Sequence, residues 1–301
     1  MKVVVLAGGT GGAKLAAGFQ SLLAPGELTV IANTADDDEF WGLLVCPDID
    51  ATIYRLAGVF DVAAGYGQAG DTFDTLEALG RLGEPTWFRI GDRDLATHLL
   101  RAQMLDGGCR LTETAVELCR RFNVQTQVVP MTDDKVRTRF VTDAGTLSFQ
   151  EYFVRERLGP ALRAIEIAGG DAASPSPEAA AALAEADLVV IGPSNPLISI
   201  RPILEVVGRW MDRQRTLAVT PIVGGAALKG PTVEMLRALG SEATPVAVAR
   251  SYTSVAGTFV IDSRDAGSAG EIEAMGYRVI VSDTVMNDGG QVLARSILEA
   301  V

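Results

Sequence analysis

At 301 residues and 48% hydrophobic composition, the chain can bury a large core, as one large or two small domains. A formal net charge of −12 argues against non-specific binding to nucleic acid or anionic lipid, and no run of about 18 apolar residues is present to span a membrane. The 3 cysteines, Cys46, Cys109 and Cys119, have no metal-ligand spacing. They read as reduced thiols of a cytoplasmic protein, and glycines interrupt the first apolar run too early for a signal peptide.

The chain opens on an apolar run, residues 3–7, that reads as a buried strand. Gly8, Gly9, Gly11 and Gly12 follow around Thr10, and then Ala13, Leu15, Ala16, Ala17 and Phe19 form the apolar stripe of a helix. A glycine turn between strand and helix leaves backbone N–H groups uncovered at a helix N-terminus, where an anion is favoured. The expectation is a phosphate cradle; the alternative is a tight turn that lets the helix pack on its strand. A dinucleotide fingerprint is excluded because Lys14 stands where its third glycine belongs. A Walker loop is excluded by the spacing to Lys14 and by Leu15 after it. In so acidic a chain, a bound phosphate calls for a cation, and a divalent metal is the obvious one.

A second strand, 28–32, ends in Asn33-Thr34-Ala35-Asp36-Asp37-Asp38-Glu39, and Pro47-Asp48-Ile49-Asp50 precedes a helix over 51–59. Ligands of open parallel sheets bind outside the C-terminal strand ends, so the glycine turn and this acidic loop should share one edge. Asp36, Asp37, Asp48 and Asp50 are candidate Mg²⁺ ligands beside such a cradle. Solvated loop positions and helix caps are the ordinary alternative, and the better one for Asp38 and Glu39.

Residues 65–108 read as loop and helix. Arg89, between Phe88 and Ile90, is expected on a buried face with an anionic partner. Asp92 or Asp94 can cap the following helix. His98, the only histidine, lies on that helix over 95–105 and is expected to pack or face solvent, outside the chemistry. A further helix spans 115–122. Residues 127–132 and the hairpin at 136–149 have β character, which suggests an inserted α+β subdomain over about 89–167 between Rossmann-like core segments of about 1–88 and 168–301. A helix at 177–186 and a strand at 187–191 lead into Gly192-Pro193-Ser194-Asn195-Pro196. There Ser194 and Asn195 can donate to a phosphate or a base edge, or bond locally as an Asx turn. Residues 216–220 read as a strand leading to a loop that carries Lys229. Strands are expected at 246–249, 258–262 and 279–281, with a last helix at 291–299.

Several motifs occur in order from end to end: Gly8-Gly9-Thr10-Gly11-Gly12-Ala13-Lys14-Leu15, Asn33-Thr34-x-Asp36-Asp37, Pro47-Asp48-x-Asp50, Trp87-Phe88-x-x-Gly91-Asp92-x-Asp94, Pro130-Met131-Thr132, Phe149-Gln150-Glu151-Tyr152, Gly192-Pro193-Ser194-Asn195-Pro196 and Lys229-Gly230-Pro231. Together they resemble the 2-phospho-L-lactate transferase family of coenzyme F-420 biosynthesis. The resemblance implies an α/β fold, a Rossmann-like, mostly parallel sheet with helices on both faces and an added subdomain. It also implies a Mg²⁺-dependent homodimer. The implied reaction moves a phospho-three-carbon-acid unit from a guanosine diphosphate-linked donor to the ribitol hydroxyl of the deazaflavin Fo, with release of GMP.

By position, Asp50 and Arg89 match the family's Fo-binding residues. The diphosphate and nucleotide would fall to Gly9, Thr10, Gly11, Gly12, Lys14, Asn33, Ser194 and Asn195. The metal would fall to Asp36, Asp37, Asp48 and Asp50, with Asp48 or Asp50 as catalytic carboxylates. Ala35 stands where the family pattern has Gly, and Tyr66 where it has Trp. Two other readings compete. One is a nucleotide-sugar-binding regulator of the gluconeogenesis-factor family; the weaker one is an NAD-dependent oxidoreductase. Phospholactate, phosphoenolpyruvate and phosphoglycerate donors all remain open.

Overall fold

The computed structural model describes residues 1–227 and 230–301. Lys229, singled out in the sequence, lies outside them.

The first run forms β1 (Val3–Ala7), buried at every position, as a central strand of a parallel sheet must be. The chain continues through α1 (Gly9–Gln20) and β2 (Leu28–Ala32). A hairpin of β3 (Asp38–Phe40) and β4 (Leu43–Val45) follows. It turns on Trp41 and Gly42, both at positive φ (49° and 77°), as a two-residue hairpin turn favours. Then come α2 (Pro47–Leu56), α3 (Asp74–Arg81), α4 (Asp92–Asp106), α5 (Leu111–Arg121) and β5 (Gln127–Pro130). Strands β6 (Arg137–Thr142), β7 (Gly145–Ser148) and β8 (Leu162–Ala168) form a separate antiparallel sheet ordered β7-β6-β8. After α6 (Pro177–Glu185) and β9 (Leu188–Ile191), a π-helical turn at Pro196–Ile200 leads into α7 (Arg201–Val207). The remainder is β10 (Thr216–Val219), a small ribbon of β11 (Ile222–Val223) and β12 (Ala226–Ala227), α8 (Thr232–Ala238), α9 (Pro245–Tyr252), β13 (Thr258–Asp262), α10 (Ala269–Glu273), β14 (Arg278–Ser282) and α11 (Gln291–Ala300).

The main sheet has 7 strands in the order β14-β13-β10-β9-β1-β2-β5, and every pairing in it is parallel. Side-chain alternation splits the core between its faces. Val4 and Leu6 pack with α6 to α10 on one side, and Val3, Val5 and Ala7 with α1, α2, α5 and α11 on the other. This is the Rossmann-like α/β arrangement expected. The chain runs outward from β1 to β2 and β5, then returns to place β9 on the other flank of β1. The sheet therefore reverses direction between β1 and β9, where doubly wound sheets open a crevice.

Two expectations change. The segment 89–167 contains β5, which is the edge strand of the main sheet, so the antiparallel addition is narrower, 137–168, with its own small core around Phe140, Tyr152 and Ile165. Residues 246–249 are helical, inside α9. Alternating Val and Ala suggest a strand, but Pro245 fits the first helical position, Thr244 caps the Ala247 N–H, and the buried positions 245, 246, 248, 249 and 252 follow a helical period.

Candidate active site

The loops after β1, β2 and β9 meet at the reversal point. The glycines explain how closely. A Cβ on Gly11 would lie 2.1 Å from the Pro193 carbonyl oxygen, one on Gly8 2.4 Å from Ser199 Cβ, and one on Gly12 2.7 Å from Ala7 Cα. These three are glycine because backbone packs on backbone there, which is the tight-turn alternative. Gly9 is different: its φ is +72°, and an added Cβ would meet only Asp48 Oδ1, at 3.6 Å.

The N-terminus of α1 is partly occupied. The Gly12 N–H donates to Ser194 Oγ at 3.1 Å, and the Gly9 N–H faces Asp48. The N–H groups of Thr10 and Gly11 have no helical carbonyl to reach. Ser194 is thus a cap for α1. Asn195 accepts from the Leu197 N–H at 2.9 Å, with its amide nitrogen 3.6 Å from Met235 Sδ, which is the local Asx bonding weighed above. Lys14 packs its backbone on Gly290. The Val292 and Gly290 N–H groups hold Asp288 below the usual carboxylate range, with a smaller part from the Lys14 charge.

After β2, Asn33 ties the loops together. Its amide nitrogen donates to Asp48 Oδ2 at 2.9 Å, its carbonyl accepts from the Ala35 N–H at 3.0 Å, and its own N–H donates to the Ala7 carbonyl at 3.0 Å. Asp36, Asp37 and Asp48 are all buried. Burial, reinforced by the Asp48 charge, raises Asp36 well above the usual range, although it accepts from Thr138 Oγ1 at 3.0 Å. Burial pushes Asp37 up to about 8 against the charges of Arg137 and Arg101; the Cys46 thiol lies against it, and neither oxygen accepts a well-formed hydrogen bond. It raises Asp48 to about 6 against the bonds from Asn33 and Gly9. Asp38 and Glu39 are ordinary by comparison, half-buried and exposed.

Asp50, on the first turn of α2, faces α4. Arg101 Nη2 donates to Asp50 Oδ1, and Arg101 Nη1 donates to the Leu44 carbonyl at 3.1 Å and to His98 Nδ1 at 3.1 Å. A guanidinium only donates, so Nδ1 is the acceptor and the imidazole proton sits on Nε2, which faces Asp94 Oδ1 at 3.6 Å. The Tyr54 hydroxyl, one turn along α2 from Asp50, donates to Asp94 Oδ1 at 2.7 Å and lies 2.8 Å from Thr97 Oγ1. Asp50 Oδ2 is buried without a partner.

Several site expectations are corrected by this arrangement. Arg89 is exposed, with its guanidinium 4.2 Å above the Phe73 ring; the buried arginine is Arg101, at 1% exposure. His98, also 1% exposed, belongs to the Asp50 network rather than to packing or surface. Asp94 joins that network too. Asp71 instead takes the Arg93 and Asp94 N–H groups at the start of α4, while Asp92 takes those of Asp74 and Thr75 at the start of α3. Among the described residues, three potential metal-ligand atoms come within 4.8 Å of one another at Asp50, Asp94 and His98. Asp36, Asp37 and Asp48 do not join Asp50 in such a group. A sequence signal for the missed residues existed. Asp94, Thr97, His98 and Arg101 recur at the i, i+3, i+4, i+7 spacing of one helix face, but their polarity reads as solvent exposure.

Residues 3–288 match the family model described as 2-phospho-L-lactate transferase CofD. The chain belongs to this family. It is 39% identical over 311 residues to the phosphoenolpyruvate transferase of Streptomyces griseus, across 99% of this chain and 98% of that one. It is 36% identical over 286 residues to the 2-phospho-L-lactate transferase of Methanosarcina acetivorans, across 94% and 93%. A solved UPF0052-family protein from Bacillus halodurans shares the fold, with a TM-score of 0.64 at 17% identity over 99% of this chain and 98% of that one. The chain is therefore an enzyme of the transferase class, which sets aside both the regulator and the oxidoreductase. Among the described residues, no helix is long and apolar enough to cross a membrane.

Proposed function

We propose that the enzyme transfers a phospho-three-carbon-acid unit, phospholactate or phosphoenolpyruvate, from its guanosine diphosphate-linked donor to the ribitol hydroxyl of Fo, releasing GMP. The observation that carries this reading is the convergence at the β1/β9 reversal point. The N-terminus of α1, where the Thr10 and Gly11 N–H groups have no helical carbonyl to reach, meets Asp48 through Gly9; Asp36 and Asp37 are buried close behind it, with the charges of Arg137 and Arg101 only partly offsetting their burial. In the reaction, the hydroxyl oxygen bonds to the phosphorus that carries the three-carbon acid. The bridge to the GMP phosphate breaks, and the hydroxyl proton leaves. Such a displacement needs positioning and charge stabilisation above all.

The turn of α1 would hold the diphosphate. Asp48, raised to about 6, is matched to receiving the hydroxyl proton near neutral pH. Asp50 is already ion-paired with Arg101, which suits it to binding more than to proton transfer; its Oδ2, buried beside His98 Nδ1 and without a hydrogen-bond partner, is the acceptor a ribitol hydroxyl would engage on entering the site. Mg²⁺ is part of the proposal, held through a few carboxylate oxygens and the substrate phosphates. The unpartnered oxygens are those of Asp37, while Asp36 and Asp48 are hydrogen-bonded to Thr138 and Asn33 and the three do not close into one ligand set, so these carboxylates would give a hard cation one or two oxygens and leave its other positions to phosphate and water. Bound there, the ion would neutralise charge building on the phosphoryl oxygens. A cytoplasmic homodimer completes the proposal.

The test incubates purified protein with Mg²⁺, Fo and each guanylylated donor in turn: phospholactate, phosphoenolpyruvate and phosphoglycerate. Products are weighed by mass spectrometry. One donor is expected to give an Fo phosphodiester and an equal amount of GMP. No Fo-linked product from any donor would overturn the reading.

A further inference from the structure

The buried stripe on α4 is not required by the chemistry just described, and it is costly. An arginine at 1% exposure and a histidine at 1% sit with Asp94 and Asp50 in the interior, where unpaired polar groups are strongly disfavoured. Asp50, Asp94 and His98 have the spacing of a metal site. The Arg101 cation, however, already pairs with Asp50 Oδ1 and donates into His98 Nδ1, so the positive charge this group calls for is supplied by a guanidinium. What the group does mechanically is clear from its bonds. Arg101 reaches Asp50 with one amino group and His98 with the other. His98 Nδ1 and the Leu44 carbonyl fix the plane of the guanidinium. Asp94, held by the Tyr54 hydroxyl, faces the opposite edge of the imidazole.

We propose that His98, and Asp94 behind it, are positioning residues for the acceptor side of the transfer. They set Arg101, and Arg101 holds Oδ1 of Asp50, which leaves Oδ2, buried 3.7 Å from His98 Nδ1 and without a hydrogen-bond partner, as the oxygen the incoming alcohol would engage. The inference rests on the reading of Asp50 as an acceptor-binding residue. It makes a sharp distinction: His98 is needed as a hydrogen-bond acceptor at Nδ1, not as a cation, a metal ligand or a base.

The test compares His98→Asn, whose carbonyl oxygen can replace Nδ1 as acceptor, with His98→Leu, which cannot, and with Arg101→Lys, which loses the second amino group. All are first checked for native melting. His98→Leu and Arg101→Lys are expected to raise the KM for Fo about tenfold, the effect of one lost charge-assisted bond, with the KM for the nucleotide donor within about threefold of the parent. His98→Asn should recover most of the Fo KM. Equal losses in His98→Asn and His98→Leu, or donor and acceptor KM rising together, would overturn the proposal.

A second measurement needs no Fo. His98 is the only histidine, so untagged protein labelled with ¹⁵N-histidine gives one imidazole pattern. The neutral Nε2–H tautomer is expected, with a shift of the Nδ1 signal in Arg101→Lys. An Nδ1–H or doubly protonated ring would sink the positioning role. If that signature holds while the parent enzyme makes no Fo product, the fault lies with the substrate assignment.

Discussion

One added methyl group divides the glycines of the turn into two kinds. Gly11→Ala brings a Cβ to 2.1 Å from the Pro193 carbonyl, so one of two packed loops must shift. A loss of about 3 kcal/mol in denaturant unfolding is expected, with loss of transfer. Gly9→Ala brings its Cβ only into ordinary contact with Asp48 Oδ1 at 3.6 Å, and its φ of +72° costs about 1 kcal/mol, so a folded protein should result. Asp37 gives a prediction in pH. Its folded pKa of about 8 lies above that of an unfolded aspartate. Between about pH 4 and pH 8 the unfolded chain therefore binds fewer protons than the native one, and stability falls as pH rises through that window. In the absence of divalent cations, Asp37→Asn should match the parent near pH 4 and melt higher at pH 8. Equal slopes of melting temperature against pH would refute this. The aspartates were legible because they cluster after strand ends. Arg89 was misjudged because apolar neighbours show only that a segment alternates: Ile90 points inward and Arg89 does not. Arg101 and His98 were hidden by polarity, since a buried polar face has the same spacing as an exposed one.

At the level of elements, α1 begins where a residue 182 positions away supplies its cap. Ser194→Ala leaves the Gly12 N–H buried without an acceptor. It should cost about 1 kcal/mol of stability, while Ser194→Thr, which keeps the hydroxyl, should cost less. No local pattern around Gly12 announces such a cap, because a helix signal reads only its own neighbours. The opposite error occurred at α9, where Val246 to Ala249 alternate as a strand would. There the decisive signals were the flanking Thr244 and Pro245, which the apolar run outweighed. The strands of the main sheet were easier. Buried on both faces, β1 and β9 read as unbroken apolar runs and β10 as one opened by Thr216, and length separates them from helices.

For the whole molecule, the strand runs of the sheet were readable but their order was not, since pairing depends on contacts far apart in sequence. The expectation that the glycine turn and the acidic loop share one edge did follow from the parallel sheet alone. Burial is uneven. From about residue 61 to 89 most side chains are exposed, and α3 buries only Leu76. Limited trypsin digestion should therefore cut first at Arg81 or Arg89 and leave the sheet intact; first cleavage at Arg201 or Arg278 would contradict this. The central place of β1 also has a consequence for synthesis. Its partners are β2 and β9, and the second begins at Leu188. A chain leaving the ribosome completes β1 and β2, then waits for roughly 160 more residues, about ten to thirty seconds at usual elongation rates. Through that interval the future centre of the sheet is an open apolar edge, and the crevice whose second wall follows β9 does not yet exist.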